Sequence, residues 1–365
     1  MNARSSYPEG FFSLLGALPD ALKQSADADT AAKKALLTRF FSDPLTDDFL
    51  IVTHAHPDGD ALGSAKALRD ALRNIGKRAE AVCDDDPGHR LAFVFGEGVC
   101  TRPSALPDDF RPRFIVTVDL ASLHLAGDGA EELRGKIAVK LDHHLTGEDF
   151  AEFSVVEPEA ASCGEVVFDI VDQLGAFSDS VASALYTAIA SDTGGFAYSN
   201  VSSRTHLAAA RLHGFDIGHT DVCRRLFENR TQGEVAATRE CLNAIRYLYG
   251  GRLAYIAIDN RFKEEHGVTD EDFGEINRIP RSIEGVWLGI TLREKSEKPG
   301  QFRVSMRSTE EVDVSVICGR LGGGGHARAA GAVVSADSTE AAVKIVLDAA
   351  GPTMDEAVAA DGIQE

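Results

Sequence analysis

The sequence contains few cysteines, and they are not arranged in pairs. Six cysteines are spread over 365 residues, from Cys83 to Cys318, without a C-x-x-C motif. This spacing argues against a disulfide-stapled exported protein and fits thiols that are kept reduced. We therefore expect a cytoplasmic protein.

Long apolar runs and an excess of positive charge are also missing. No window approaches the roughly 18 consecutive apolar residues of a membrane span, and the first residues do not resemble a signal peptide. The formal net charge is -20. Because binding of long nucleic acid relies on many Lys and Arg side chains, we expect neither a membrane segment nor a long duplex partner. A small anionic substrate fits this charge if metal ions and a few arginines reverse the field locally.

Short apolar runs alternate with helical stretches, which predicts an α/β fold. Residues 1–45 have helical periodicity, with Leu14 and Leu37 on candidate buried faces, and predict a helical N-terminal extension. Residues 46–228 predict a doubly wound, mostly parallel sheet, because their apolar runs are typical of strands buried on both faces. The predicted strands are Phe49–Val52, Ala79–Val82, Phe114–Val118 and Ile137–Leu141.

The second half of the chain predicts a smaller α/β domain. A helix within residues 229–251 is expected to join the two domains and to let the second close over the first. Residues 252–365 contain further strand and helix patterns, and we expect the tail after Pro352 to fray. The clearest of these patterns are strands at Arg252–Ile258, Val286–Leu292, Phe302–Met306 and Gly331–Val334, and helices at Val314–Arg320 and from Thr339.

Acidic residues and histidines follow four of the predicted elements. These clusters are His54-Ala55-His56-Pro57-Asp58-Gly59-Asp60, then Asp119, then Asp142-His143-His144, then Asp192. Each cluster alone has a simpler interpretation as a helix cap, a loop residue or a solvated turn. A parallel sheet, however, gathers such positions along one edge. Two neighbouring cations need several ligands close together, and one carboxylate among them must bridge the two ions. Mixed imidazole and carboxylate ligands favour Mn²⁺ or a similar ion.

With these motifs the sequence resembles the DHH phosphoesterases, which are named for the tripeptide Asp142-His143-His144. The resemblance runs from about Phe49 to Ala336 and includes HAHPDGDALGS at His54–Ser64. In the second half, the glycine run Gly322–Gly325 and the following His326 resemble the domain attached to nano-RNases and small-nucleotide phosphatases. Thr146 stands where many nano-RNases have proline, so the subfamily stays open.

The resemblance implies a role for each matching residue. His54 and Asp58 would bind one metal ion, Asp60, His143 and Asp192 would bind the other, and Asp119 would bridge them. His144 would face the substrate phosphate or the leaving group, and Asp142 would orient its neighbours. The implied substrate-binding residues are Arg307, Ser308, Gly323, Gly324, Gly325 and His326. A glycine run lets backbone N–H groups approach a phosphate, and Arg303, Arg320 and Arg328 are further candidates for an anion pocket.

The function expected from this reading is hydrolysis of phosphoester bonds by a water that two divalent cations activate. Mn²⁺ is the first candidate, with Mg²⁺ and Co²⁺ as alternatives. The expected substrates are short RNA, 3′-phosphoadenosine 5′-phosphate, or linear and cyclic dinucleotides. An inorganic pyrophosphatase and a non-catalytic nucleotide-sensing module are the rival functions, and a homodimer is one of the oligomeric states left open.

Overall fold

The apolar runs of the first half form a parallel sheet, as predicted. The computed structural model describes residues 7, 10–25, 28–95, 103–273 and 276–361, without the side chains of residues 89, 271 and 326. The chain divides into two units, Met1–Asn229 and Arg230–Glu365. The strands of the first unit are β1 Phe49–Val52, β2 Ala79–Val82, β3 Phe114–Val118, β4 Val139–Asp142 and β5 Phe153–Val156.

The topology of this sheet creates a crevice at one edge. The strand order is β2-β1-β3-β4-β5, and every pair is parallel. Because the order reverses between β1 and β3, the connections leave these neighbours in opposite directions and open a crevice at the carboxyl ends of the strands. The prediction of a doubly wound parallel sheet is therefore confirmed. Strand β5 is not predicted, because its alternate residues Ser154 and Val156 are only half buried.

Helices cover both faces of the sheet. Helix α3 begins at Gly59, where the Asp58 side chain accepts hydrogen bonds from the Asp60 and Ala61 N–H groups. Gly63 lets α3 approach α7 closely, since a Cβ there would lie 2.5 Å from the Ala184 carbonyl oxygen. The helices of this unit are α1 Asp20–Lys23, α2 Thr30–Ser42, α3 Gly59–Asn74, α4 Gly88–Leu91, α5 Ala130–Leu133, α6 Cys163–Leu174, α7 Asp179–Asp192, α8 Ser203–Leu212 and α9 His219–Cys223.

The N-terminal extension packs on the first unit through α2. Leu37 is fully buried, as predicted, but Leu14 is 58% exposed, so the prediction for Leu14 is wrong. Leu14 lies in a turn rather than in a helix, and helical periodicity therefore does not place its side chain. Lys34 is buried in α2 and forms ion pairs with Glu157 and Asp169. This buried cation attaches the extension to the loop after β5 and to α6.

The second unit is a smaller α/β domain, as predicted. Its sheet has the order β10-β11-β9-β8-β7-β6, and only the β7–β8 pair is parallel among the pairs described. The strands are β6 Arg246–Leu248, β7 Leu253–Ile258, β8 Leu288–Lys295, β9 Lys298–Ser308, β10 Gly324–His326 and β11 Ala329–Ser335. The helices are α10 Gln232–Ala244, α11 Asn260–His266, α12 Val314–Arg320 and α13 Thr339–Ala360.

The first and last helices of the second unit differ from the sequence-based expectations. Helix α10 lies within the segment predicted to connect the domains, and its Ala237 and Cys241 are buried in a core of the second unit. The expected fraying after Pro352 is wrong, because α13 continues to Ala360 with Pro352 inside it. Met354 is fully buried beyond the proline, and this packing holds the last turns of the helix. No described helix is both long and apolar enough to cross a membrane.

Candidate metal centre

The sequence-predicted ligands lie where elements of the first unit end. His54 lies two residues after β1, and Asp58 and Asp60 follow at the start of α3. Asp119 follows β3 directly, Asp142 is the last residue of β4, and Asp192 is the last residue of α7. These positions surround the crevice that the reversal between β1 and β3 opens.

Six of these side chains form two groups, and one carboxylate of the first group also lies close to a histidine of the second. The ligand atoms of His54, Asp58 and Asp119 lie within 4.8 Å of one another, and so do those of Asp60, His143 and Asp192. Asp119 reaches both groups with different oxygens. Its Oδ2 is 3.7 Å from His54 Nε2, and its Oδ1 is 3.5 Å from His143 Nε2. This arrangement is the one that a carboxylate bridge between two cations requires.

The carboxylate of Asp119 is buried without a full set of partners, and its backbone is strained. Its side chain is buried, and Oδ1 has no hydrogen-bond partner among the described residues. Its backbone has φ of 53°, in the left-handed region that non-glycine residues rarely adopt. The Asp119 N–H donates to the Leu141 carbonyl and fixes the turn. A buried carboxylate oxygen without a partner is costly, and a divalent cation would satisfy it.

Neighbouring groups orient the individual ligands. His143 Nδ1 lies 3.2 Å from the Ala160 carbonyl oxygen. Because a carbonyl can only accept, the proton belongs on Nδ1, and the lone pair of Nε2 is then available to a cation that the neighbouring carboxylates also bind. Asp60 accepts hydrogen bonds from the Cys163 and Gly164 N–H groups at the start of α6. The side chains of His143 and Asp60 are therefore held by contacts within the protein.

The electrostatics of the site show an excess of negative charge. Burial, together with the charges of Asp119 and Asp192, raises the pKa of Asp60 well above its ordinary value. Burial also raises the pKa of Asp192 to about 7, and the charges of Asp58 and Asp119 add to this rise although His143 opposes it. Two divalent cations would supply the missing positive charge, so the donor set and its charge both fit a two-metal centre.

Asp142 and His144 form a pair beside the ligand groups. Asp142 is fully buried, and its Oδ1 accepts a hydrogen bond from His144 Nδ1 at 2.7 Å. This hydrogen bond, assisted by the charge of Asp119, raises the pKa of His144 to about 9 against the effect of burial. Lys140 lies 3.1 Å from the other oxygen of Asp142. Sequence reasoning does not identify Lys140, although strand alternation places it on the same face as Asp142.

A cavity of about 270 Å³ opens above the ligand groups. Its remaining lining residues are His56, Ala121, Leu125 and His144. Drug-sized ligands occupy pockets of roughly 300 to 1,000 Å³, so this cavity suits a reacting phosphate better than a whole nucleotide. The His56 side chain is 91% exposed and pairs with Asp85 at the rim, outside the ligand groups.

The predicted substrate-binding residues of the second unit lie at the β9, β10 and β11 end of its sheet. Arg307 is half-buried on β9, and alternation along the strand places Arg303 on the same face. Ser308 is buried, and its hydroxyl lies 2.6 Å from the Val312 carbonyl that it donates to. That position fits support of the loop better than contact with a substrate. The side chain of His326 lies outside the described part of the structure.

The glycine run has a packing role that the sequence does not reveal. A Cβ at Gly323 would lie 2.2 Å from the Gly331 carbonyl oxygen, and one at Gly325 would lie 2.6 Å from the Ala329 carbonyl oxygen. The run therefore forms the close β10–β11 hairpin instead of an open loop, while Gly324 has free space around it.

Two arginines expected near an anion pocket are already engaged. Arg320 donates to the Ala349 carbonyl on α13, and Arg328 donates to the carbonyls of Thr309 and Val312. These contacts hold one nitrogen of each guanidinium group to the second unit, and binding of an anion by the two arginines stays a prediction.

Comparison with known proteins identifies two matching domains. Residues 48–189 match the N-terminal domain of the DHH family, and residues 250–351 match the DHHA1 domain. The chain is 31% identical over 302 residues to the bifunctional oligoribonuclease and PAP phosphatase NrnA of Thermus thermophilus, a match that spans 82% of this chain and 88% of the relative. It is 28% identical over 309 residues to the cyclic-di-AMP phosphodiesterase GdpP of Geobacillus thermodenitrificans, spanning 80% of this chain and 45% of that protein.

A solved structure shows the same fold. An exopolyphosphatase-related protein from Bacteroides fragilis superimposes with a TM-score of 0.81 and 23% sequence identity. The superposition covers 90% of this chain and 98% of that chain. The similarity therefore extends over both units of the fold.

Proposed function

Since the chain belongs to the DHH family of phosphoesterases, we propose that it hydrolyses phosphoester bonds in short oligonucleotides or small nucleotides with the help of two divalent cations. The observation that carries this proposal is the position of Asp119, which directs one oxygen to each of two ligand groups. The NrnA relative is named for oligoribonuclease and phosphatase activities, and the GdpP relative for hydrolysis of a cyclic dinucleotide. These names support a substrate with few nucleotides.

The ligands divide between the two ions by their contacts. His54, Asp58 and Asp119 would hold one ion, and Asp60, His143, Asp192 and Asp119 would hold the other. Mn²⁺ is our first choice because imidazole and carboxylate occur together, and Mg²⁺ and Co²⁺ are the alternatives. When bound, the two cations supply an activated water and neutralise the phosphoryl oxygens.

His144 is the proposed proton donor to the leaving oxygen. Its Nδ1 is engaged by Asp142, and its ring lines the cavity, so Nε2 remains for the substrate. In the metal-free site, the hydrogen bond to Asp142 raises the pKa of His144 to about 9, which favours the protonated imidazole that a general acid requires. The carboxylate of Asp142, which is fully buried, stabilises the protonated imidazole through this hydrogen bond.

The second unit is proposed to recognise the end of the substrate that is not cleaved. Arg303 and Arg307 project from one face of β9. The outer edge of β10 pairs with no other strand of the described sheet, so its glycine N–H groups can approach a phosphate. Arg307, Gly323, Gly324, Gly325 and His326 stay in the proposed substrate site. Ser308 would act on this site by holding the loop behind it.

The site also bears on the two rival functions. A nucleotide sensor without turnover is expected to have lost an acidic ligand, whereas all six ligands converge here. A pyrophosphatase would hydrolyse pyrophosphate faster than any nucleotide. We also propose a cytoplasmic location, which is supported by the free thiols of the described cysteines, Cys83, Cys163, Cys223, Cys241 and Cys318.

A substrate panel tests the proposal. Short RNA, linear and cyclic dinucleotides, phosphoadenosine phosphate and pyrophosphate would each be assayed with Mn²⁺, Mg²⁺ or Co²⁺. We expect hydrolysis of at least one nucleotide, greatest with Mn²⁺, and loss of that activity in His143→Ala. His213→Ala is the control, because His213 is an exposed histidine outside the metal-binding groups. Activity in His143→Ala equal to that of the wild type would contradict the proposal, and faster hydrolysis of pyrophosphate would replace it.

A further inference from the structure

Lys140 is a buried lysine in the strand that leads to the metal centre. Its side chain is 4% exposed, and its ammonium has three hydrogen-bond partners or counter-charges. Nζ lies 3.1 Å from Asp142 Oδ2, 3.1 Å from the Ala121 carbonyl oxygen and 3.2 Å from the Glu148 carbonyl oxygen. The two carbonyl contacts are hydrogen bonds, and the contact with Asp142 Oδ2 is an ion pair, since this oxygen has no hydrogen-bond partner among the described residues.

These contacts join the two loops that carry the site. Ala121 follows Asp119 in the loop after β3, and Glu148 follows His144 in the loop after β4. The Glu148 N–H also donates to the Ala121 carbonyl. A Cβ at Gly147 would lie 2.5 Å from the Ala121 oxygen and 3.3 Å from Lys140 Nζ. The loops are therefore packed around the ammonium, with glycine at the closest point.

The same ammonium contributes to holding the Asp142 carboxylate in its orientation. Asp142 Oδ1 accepts from the N–H groups of His143 and His144 and from His144 Nδ1. Oδ2 faces Lys140, which is the one cationic side chain that contacts it in the described structure. The ion pair with Lys140 is thus the charge contact on the far side of the carboxylate whose Oδ1 faces His144, and its loss would weaken the hold on that carboxylate.

We propose that Lys140 is a positioning residue, which acts through Asp142 to aim His144 at the leaving oxygen of the substrate. This inference rests on the proposed function. In the step concerned, the oxygen of the attacking water forms a bond to phosphorus and this water gives up a proton to the solvent. The bond between phosphorus and the leaving oxygen breaks, and the leaving oxygen keeps the electron pair. The oxygen takes the proton of His144 Nε2, and the imidazole regains a proton from the solvent.

Substrates that differ in their leaving group separate this role from a purely structural one. A dinucleotide releases a strongly basic alkoxide, which needs a proton as it leaves. The p-nitrophenyl ester of thymidine 5′-monophosphate releases a weakly basic phenolate, which does not. Both would be assayed with Mn²⁺, and the ratio of the two kcat values would be compared between variants. Partial misfolding cannot change this ratio, because it lowers both rates equally.

Lys140→Met should lower kcat for the dinucleotide by about 100-fold, the lower end of the usual contribution of a general acid, and lower kcat for the nitrophenyl ester by only a few-fold. Lys34→Met is the matched control. Lys34 is also buried and forms ion pairs with two carboxylates, but neither of these partners is a residue of the metal centre. We expect this control to keep the wild-type ratio.

A double-mutant cycle with His144→Ala gives the second readout. If Lys140 acts through His144, Lys140→Met should cause no further loss of dinucleotide hydrolysis in the His144→Ala background. Lys140→Gln, which keeps hydrogen-bond donors without the charge, replaces Lys140→Met if the latter does not fold. Equal losses on both substrates, or additive losses in the cycle, would overturn the inference alone. Failure of the wild type to hydrolyse either substrate would overturn the proposed function together with it.

Discussion

At the scale of single residues, Asp119 combines a strained backbone with an unsatisfied buried charge. Both features persist only when the surroundings compensate for them, and they cluster at functional sites. Its φ of 53° and its partnerless Oδ1 arise at the end of β3, where the chain must turn to bring the carboxylate between two ligand groups. A bound pair of cations would satisfy the unpaired oxygen.

The first prediction concerns Asp119→Asn. Asn tolerates the left-handed backbone conformation, so the fold should persist. Removing one negative charge should raise the melting temperature of the metal-free protein, because Asp58, Asp60 and Asp192 repel Asp119. Hydrolysis should fall by more than about 100-fold, since loss of even an outer partner of a metal ligand can cost that much. A melting curve in EDTA and a rate measurement with Mn²⁺ check both parts, and an unchanged rate would contradict the bridging role.

The second prediction concerns pH. The pKa of Asp192 is raised to about 7 in the folded metal-free protein, chiefly by burial. The folded state then binds a proton more tightly than the unfolded state, so this group makes the metal-free protein less stable as pH rises from about 4 to about 7. Mn²⁺ must displace that proton and should bind more tightly above pH 7. The increase in melting temperature caused by Mn²⁺ should be larger at pH 8 than at pH 6. An equal increase at both values would contradict this account.

The sequence predicts the convergence of the site residues because a parallel sheet collects the ends of its strands at one edge. His54, Asp119 and His143 therefore meet although the chain separates them widely. Lys140 is not identified from the sequence, since a lysine inside an apolar run resembles an interruption of the strand. The role of Lys140 depends on its contacts with Ala121 and Glu148. These residues belong to loops whose conformation cannot be predicted from the sequence pattern.

At the scale of elements, close approach of α3 and α7 sets the positions of Asp60 and Asp192, which lie at adjacent ends of these helices. The third prediction is that Gly63→Ala disturbs this contact. A Cβ at Gly63 would lie 2.5 Å from the Ala184 oxygen and 2.8 Å from the Ala188 nitrogen. Overpacking of this kind costs about 1 to 3 kcal/mol, which exceeds the helix propensity of about 1 kcal/mol that alanine gains over glycine.

Scanning calorimetry of the full chain checks this prediction. Gly63→Ala should lower the melting temperature and weaken Mn²⁺ binding. Gly319→Ala is the control, because Gly319 lies in α12 with nothing within 4 Å of the added Cβ, and this change should not lower the melting temperature. A melting temperature for Gly63→Ala at or above that of the wild type would contradict the packing argument.

Elements with a continuous apolar run are predictable, whereas short edge elements are not. Strands β1 and β3 are buried at every position and stand out in the sequence. Strand β5 alternates between buried and half-buried residues over four positions, which is too short for a periodic signal. Strand β10 consists of two glycines and a histidine, so its pairing with β11 depends on tertiary contact. Pro352 predicts a helix end, but burial of Met354 outweighs the lost hydrogen bond.

At the scale of the whole molecule, every proposed metal ligand lies in the first unit, and this unit has its own cores. The fourth prediction is that a fragment of residues 1–229 folds and binds Mn²⁺ with the affinity of the full chain. Its hydrolysis of dinucleotides should be much weaker, because the proposed substrate-recognition residues lie in the second unit. Calorimetric titration with Mn²⁺ checks the affinity. A fragment that folds but fails to bind Mn²⁺ would contradict the assignment of ligands.

The length and composition of the chain predict two units. They do not predict where within the connecting segment the boundary lies. The break lies between Asn229 and Arg230, and α10 belongs to the second unit because Ala237 and Cys241 are buried beside β7. The periodicity of α10 reveals a helix without showing which core receives its apolar face.

The most direct test of the two-metal centre is anomalous X-ray diffraction from crystals grown with Mn²⁺. We predict two anomalous peaks about 3.5 to 4 Å apart, with Asp119 between them, His54 beside one and His143 beside the other. A single peak, or peaks away from these side chains, would contradict the account.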